Sequence, residues 1–135
     1  MPIITDESRY PLVLNTFVGA PVAEDVASFI VTVDKLLDRK KPFVIIHDMR
    51  QGKSPAISVI NQFADMSKVN AERDRLYALG WAFIVDQAVL RVGLKAYFGM
   101  ARLASPTLVT NSPDEAETWA LGKLRGKGLY VPEAV

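Results

Sequence analysis

Hydrophobic and polar positions along this chain follow two periods, one typical of strands and one typical of helices. Short apolar runs bounded by glycine, proline or polar residues predict strands at 3–5, 12–18, 42–46, 81–85 and 107–110. Apolar residues that recur every three or four positions predict helices at 21–38, 55–75, 88–103 and 112–126, and the charged run at 72–75 marks where the second of them bends or ends. This alternation indicates an α/β sandwich, a single domain over 1–126 with a four- to five-stranded, mixed and mostly parallel sheet and about four helices. Residues 127–135 are predicted to form a C-terminal tail.

The third predicted helix, 88–103, is apolar around most of its circumference. Its charged residues, Arg91, Lys95 and Arg102, fall within a sector of about 40°. The remaining surface is larger than a helix lying on one sheet buries, so a further contact is expected. That contact is either the second predicted helix or the surface of a homodimer, a regulatory protein or a lipid. The candidate interface residues on this helix are Val89, Tyr97, Phe98 and Met100.

The composition is that of an ordinary globular domain and excludes several classes of site. The 135 residues include 16 Lys and Arg and 15 Asp and Glu, a net charge of +1, which argues against a nucleic-acid-binding protein. The absence of cysteine excludes disulfides, thiolate zinc sites and cysteine nucleophiles, and it favours a cytoplasmic location. The sequence has no apolar run long enough for a membrane span. We predict neither a metal site nor a cofactor.

Polar residues follow the predicted strand at 42–46, at the sheet edge where α/β proteins bind ligands. His47, Asp48 and Arg50 are candidate ligand-binding residues there, together with Arg91 and Lys95 of the third predicted helix. His47 and Asp48 also allow an enzyme that uses the imidazole as a base. Neighbouring strand residues point to opposite faces of a sheet, however, which opposes a hydrogen bond between these two side chains.

The segment HDMRQGKS, 47–54, partly matches a phosphate-binding loop, because it follows a strand and ends in Gly-Lys-Ser before a helix. The motif requires glycine five positions before Gly52, where this chain has His47. Asp48 would also place a negative charge beside the phosphates. We therefore interpret Ser54 as the cap of the following helix.

Four segments together resemble the bacterial STAS-like group, which is SpoIIAA-like and named for similarity to anti-sigma-factor antagonists. They are the strand ending FVG, PFVIIHDMR, LGWAFIVDQAVLRVGLKAYFGM and SPDEAETWALGKL. The resemblance implies a small α/β domain that acts as a regulatory, protein-binding or ligand-binding module rather than as an enzyme. It does not imply phosphorylation, because QGKSPAIS offers Ser54 and Ser58 without the flanking pattern of phosphorylated antagonists.

Three hypotheses follow. The first is a non-enzymatic STAS-like regulatory or protein-interaction module that self-associates through the second and third predicted helices. The second is a carrier of a lipid or a small amphiphilic ligand, with Arg91 or Lys95 near an anionic head group. The third and weakest is a small enzyme that uses His47 and Asp48.

Overall fold

Strands and helices alternate along residues 3–134, the part of the chain that the computed structural model describes. The strands are β1 (Ile3–Asp6), β2 (Leu12–Gly19), β3 (Phe43–Gly52), β4 (Ala78–Ile84) and β5 (Thr107–Thr110). The helices are α1 (Ala23–Asp38), α2 (Ile57–Val69), α3 (Ala71–Tyr77), α4 (Ala88–Ala101) and α5 (Pro113–Arg125). The predicted α/β class is confirmed.

The five strands form one sheet in chain order, β1-β2-β3-β4-β5. β1 pairs with β2 in the antiparallel direction. The pairs β2–β3, β3–β4 and β4–β5 are parallel. Parallel neighbours need a crossover between them, which α1, then α2 with α3, then α4 provide. The sheet is therefore mixed and mostly parallel, as predicted.

Side-chain alternation along the strands divides the core into two clusters. Ile45 of β3 and Phe83 of β4 face a cluster to which α1 and α4 contribute, with partly buried side chains of α2 and α3 packed against it. Val44 and Ala82 face the opposite cluster, which α5 covers with Ala116, Ala120 and Leu124. The sheet is thus covered by four helices on one face and by α5 on the other.

The second predicted helix, 55–75, is in fact two helices, so the fold has five helices rather than about four in the described residues. Asn70 separates α2 from α3 with φ −90° and ψ 1°. Beyond this break Arg73 reaches α1, where it binds Asp34 at 2.6 Å and Asp38 at 3.0 Å. Asp74, next to it, is turned into the interior.

The N-termini of α5 and α2 differ in their capping. Ser112 caps α5, because its hydroxyl accepts the backbone N–H of Glu115 at 3.1 Å. Ser54 does not cap α2, because the residue before that helix is Ala56, which has no side-chain cap. The prediction for Ser54 is therefore wrong.

The segment beyond α5 packs against the domain. Val131 is buried in the cluster beneath α5, and the carbonyl of Pro132 accepts the Arg9 Nε–H at 2.9 Å. The division at residue 126 stays a prediction, and positions 1, 2 and 135 lie outside the described residues.

Gly80 of β4 provides a test of the α5 packing. A Cβ at this position would lie 2.5 Å from Cη2 of Trp119 on α5. We expect Gly80→Ala to lower the free energy of unfolding by about 1–3 kcal/mol, measured by urea denaturation.

Gly122, on the same helix as Trp119, has open space around its Cβ position, so Gly122→Ala is the matched control and should not destabilise. In a Trp119→Phe background, which lacks the clashing atoms, the cost of Gly80→Ala should fall. An equal cost in both backgrounds would contradict this packing.

Candidate functional site

A cavity of about 100 Å³ lies between the sheet and the helices α1, α2 and α4. Its walls are mainly apolar and aromatic, with side chains from β2, β3 and β4 on one side and from the three helices on the other. The lining includes Phe17, Phe29, Val33, Phe63, Leu90 and Leu94. Such an apolar enclosure with a few polar groups is the usual form of a small-molecule site.

His47 of β3 lies in the sheet wall of this cavity. Its ring stacks on Phe83 with centroids 5.0 Å apart and on Trp81 at 6.0 Å. Phe17 and Phe29 approach it edge-on at 5.8 and 6.0 Å. Burial lowers the pKa of His47 to about 3, so the imidazole is neutral at physiological pH.

A short hydrogen-bond chain determines which His47 nitrogen carries the proton. The Thr5 hydroxyl donates to Asn15 Oδ1 at 2.7 Å, which turns the amide nitrogen of Asn15 toward His47 Nδ1 at 3.4 Å. Nδ1 therefore accepts, and the single proton of the neutral ring lies on Nε2. Asn15 is fully buried beside His47 in the register of the parallel pair β2–β3.

Polar side chains from α2, α3, α4 and β4 also line the cavity. The hydroxyls of Ser67 and Tyr97 are hydrogen-bonded to each other at 2.6 Å. In contrast, Asp74 Oδ1 and Trp81 Nε1 are buried and have no hydrogen-bond partner among the described residues. Burial raises the pKa of Asp74 to about 7, although the nearby Arg73 guanidinium opposes the rise.

The exposed end of the cavity is formed by the loop between β3 and α2. Lys53 and Ser54 line the cavity and are also exposed to solvent. The loop lies close to Gly93 of α4, where a Cβ would be 3.6 Å from the Ser54 hydroxyl. Lys53 is therefore the cationic side chain at the cavity entrance.

Asp48 and Arg50 form a separate ion pair at the end of β3. Arg50 donates two hydrogen bonds to the Asp48 carboxylate, from Nε at 3.0 Å and from Nη2 at 2.7 Å. These hydrogen bonds hold the pKa of Asp48 below its ordinary value. His47 and Asp48 are not hydrogen-bonded to each other in the described structure. The strand alternation expected from the sequence thus separates them, and no catalytic pair is assembled.

Arg91 and Lys95 line a second, shallow cleft of about 560 Å³ between α4 and the end of β5. Thr110 and Asn111 complete its polar side. The Arg91 guanidinium donates to the backbone carbonyl of Val85 at 3.1 Å. The five predicted ligand-binding residues therefore lie in three different places, and their binding of a ligand stays a prediction.

The four predicted interface residues of α4 differ in exposure. Val89 is 66% exposed, whereas Tyr97, Phe98 and Met100 are partly buried. Phe98 packs edge-on against Phe83 with centroids 5.3 Å apart. Much of the apolar surplus of this helix is thus covered within the monomer, by the sheet and α2. Their contact with a partner stays a prediction.

Sequence reasoning missed Asp74 and Trp81 as site residues. Asp74 lies in the charged run ERDR, which is typical of an exposed helix face. Trp81 begins the apolar run at 81–85, a pattern that predicts a side chain of the hydrophobic core. The available signal was chemical, because a buried indole N–H needs an acceptor that a run of apolar neighbours does not supply.

The described residues lack two kinds of feature, a metal-binding cluster and a membrane-spanning helix. Residues 3–134 contain no group of three or more His, Asp or Glu side chains placed to hold a metal ion. None of the helices in this range is long and apolar enough to cross a membrane.

Comparison with known proteins identifies the fold. Neither a protein-family model nor a curated protein matches this sequence. A solved structure of an uncharacterised DUF3478-family protein with a SpoIIAA-like fold, from Shewanella loihica PV-4, matches with a TM-score of 0.66 and 12% identity, covering 87% of this chain and 91% of its own. An anti-sigma factor antagonist from Mycobacterium paratuberculosis matches with a TM-score of 0.56 and 8% identity, covering 88% and 92%. The chain therefore has a SpoIIAA-like fold, which confirms the STAS-like resemblance at the level of the fold.

The buried Asp74 carboxyl predicts a distinct pH dependence of stability. Its pKa is about 7 in the folded protein and 3.8 in its ordinary state, so between these values the folded protein holds a proton that the unfolded chain releases. Folding stability therefore falls as the pH rises through this window. We expect Asp74→Asn, which cannot ionise, to gain at least about 1 kcal/mol relative to wild type between about pH 4 and pH 8.

The measurement is urea denaturation of both proteins across this pH range. Asp65→Asn is the control, because Asp65 is an exposed carboxylate on α2. This control removes one acidic side chain that does not line the cavity. A difference between Asp74→Asn and wild type that does not change with pH would contradict the buried carboxyl.

Proposed function

We propose that this chain is a non-enzymatic, SpoIIAA-like regulatory module that binds a small, largely apolar molecule in the cavity beneath α1, α2 and α4. The observation that carries the proposal is the cavity itself, with an aromatic lining and buried polar groups that lack partners. A cytoplasmic location fits the sequence without cysteine.

A ligand that fills the cavity gains dispersion contacts with its apolar wall. A larger engineered apolar cavity, of about 150 Å³, binds benzene, so a body of one ring at most suits the present volume of about 100 Å³.

The location of the cavity changes which cation is expected to lie near the polar group of a carried ligand. Arg91 and Lys95 do not line it, so they are not placed to hold the head group of a ligand inside it. Lys53 at the entrance is better placed for a polar group that extends outward. The small volume of the cavity, about 100 Å³, favours a compact ligand over a long acyl chain.

The binding proposal predicts that toluene enters the cavity. Titration of the ¹⁵N-labelled protein with toluene should shift the amide signals of residues around Leu94 and Phe63 in a saturable manner. Val33→Phe, which places a ring in the cavity, should abolish these shifts while the free energy of unfolding changes by less than about 1 kcal/mol.

Val26→Phe is the matched control on the same helix. Val26 is fully buried but does not line the cavity, so the added ring has no space and should cost more than about 2 kcal/mol. Equal costs for both variants, or the absence of saturable shifts in the wild-type protein, would contradict a ligand cavity. Native mass spectrometry of freshly purified protein is an independent search for a bound ligand.

A protein partner is a second element of the proposed regulatory role. One solved structure with this fold is described as an anti-sigma factor antagonist, a class defined by its effect on another protein. On α4, Val89 and Val92 are 66% and 69% exposed and lie three residues apart on one face. We propose that this face forms the contact of a homodimer, with Arg91 and Lys95 at its margin.

Charge on this face should prevent self-association. In light scattering at tens of micromolar, we expect the wild-type protein to have the mass of a dimer and Val92→Asp that of a monomer, with an unchanged circular dichroism spectrum. Val69→Asp is the control, because Val69 on α2 is 83% exposed and lies outside the proposed face. A monomeric wild-type protein would overturn the homodimer.

A further inference from the structure

We propose that the cavity selects a neutral, single-ring molecule that carries a hydroxyl group, and that this hydroxyl donates to Asp74 Oδ1 and accepts from Trp81 Nε1. The inference rests on the proposed ligand-binding function and specifies the chemistry of the ligand. It begins from the two buried atoms without partners, which belong to side chains that line the same cavity.

These two atoms have opposite hydrogen-bonding requirements. The indole nitrogen of Trp81 is a donor and cannot accept, whereas the ionised carboxylate of Asp74 can only accept. Trp81 is 7% and Asp74 is 4% exposed, so bulk water does not supply the missing partners. Buried polar groups are rarely left unpaired in proteins, which makes this pair the strongest indication of a missing group in the cavity.

A hydroxyl is the smallest group that both donates and accepts. A carbonyl or an ether could accept from Trp81 but could not donate to Asp74. An ammonium could donate to Asp74 but would leave the indole N–H facing a positive charge. A hydroxyl meets both requirements with one oxygen, which donates to the carboxylate and accepts from the indole N–H.

The charges of the cavity favour a neutral ligand. Lys53 is the cationic residue in the described lining, and it lies at the exposed entrance. His47 is buried among aromatic rings and neutral. A carboxylate or phosphate inside the cavity would therefore lie near the Asp74 carboxyl without a buried cation to balance it, which is costly.

The wall of the cavity favours an aromatic body for this ligand. His47, Trp81 and Phe83 form a stack with interplanar angles of 29° and 22°, and Phe17, Phe29 and Phe63 lie at 6.0–6.4 Å from one another. Aromatic rings pack against such surfaces in offset or edge-on geometry. A phenol combines this body with the required hydroxyl and matches the volume of the cavity.

Phenol and toluene form a matched pair of probes, because they differ by a hydroxyl in place of a methyl group. Their dissociation constants are measured by NMR titration with the wild-type protein and with Trp81→Phe, which lacks the indole N–H. We expect the preference for phenol over toluene to fall about tenfold in Trp81→Phe. Trp119→Phe, the same substitution on the opposite face of the sheet, should leave this preference unchanged within about twofold.

Anisole tests the donor without any substitution in the protein. At about pH 8.5, above the pKa of about 7 of the Asp74 carboxyl, that group is ionised and can only accept. The methyl ether of anisole can accept from Trp81 but cannot donate to Asp74, so anisole should bind the wild-type protein about tenfold more weakly than phenol. This comparison remains decisive if Trp81→Phe does not fold.

The outcomes separate the two levels of the proposal. If toluene binds and the preference for phenol is the same in the wild type and Trp81→Phe, the hydroxyl site is overturned and the ligand cavity stands. Equal affinities for anisole and phenol would also overturn it. If none of the three probes binds, the ligand cavity fails and the inference fails with it.

Discussion

The order of the strands constrains most of this structure. The strands β2, β3, β4 and β5 are parallel neighbours in chain order, so each consecutive pair needs a crossover connection. The helices of these connections, α1, α2, α3 and α4, all pack on one face of the sheet. The strand residues of that face include the large aromatic side chains of Phe43, Trp81 and Phe83, and the helices that cover it are separate rods. The cavity lies where the helices meet over the central strands, and α5 alone covers the other face.

The polar residues of this face are accommodated in different ways. Asn15 connects His47 to Thr5, so a buried imidazole on the central strand has a partner for Nδ1. Ser67 and Tyr97 satisfy each other across α2 and α4. In contrast, Asp74 Oδ1 and Trp81 Nε1 have no hydrogen-bond partner among the described residues. The contrast between satisfied and unsatisfied groups in one cavity is more informative than its volume, because it specifies which hydrogen-bonding groups a ligand there would need.

Much of the fold follows from periodicity, but the site does not. The apolar strands, the amphipathic helices and the opposite orientation of His47 and Asp48 are local properties that alternation along the chain determines. Beyond the break at Asn70, Arg73 pairs with Asp34 and Asp38 of α1, a contact between segments far apart in sequence. The inward turn of Asp74 follows that break, so a charged run that is typical of an exposed helix contributes a buried carboxyl. Cavities likewise arise from packing between segments far apart in sequence.

The two proposed properties of α4 are physically connected. One face of this helix lines the cavity with Leu90, Leu94 and Tyr97, and another face exposes Val89 and Val92. A ligand that restores contacts beneath α4 stabilises the helix position, and a protein that binds the exposed face acts on the same rigid element. If the two events favour the same position of α4, each increases the affinity of the other by the same factor. The apolar residues around most of this helix are then explained by two contacts, one with the cavity inside the domain and one with the proposed partner outside it.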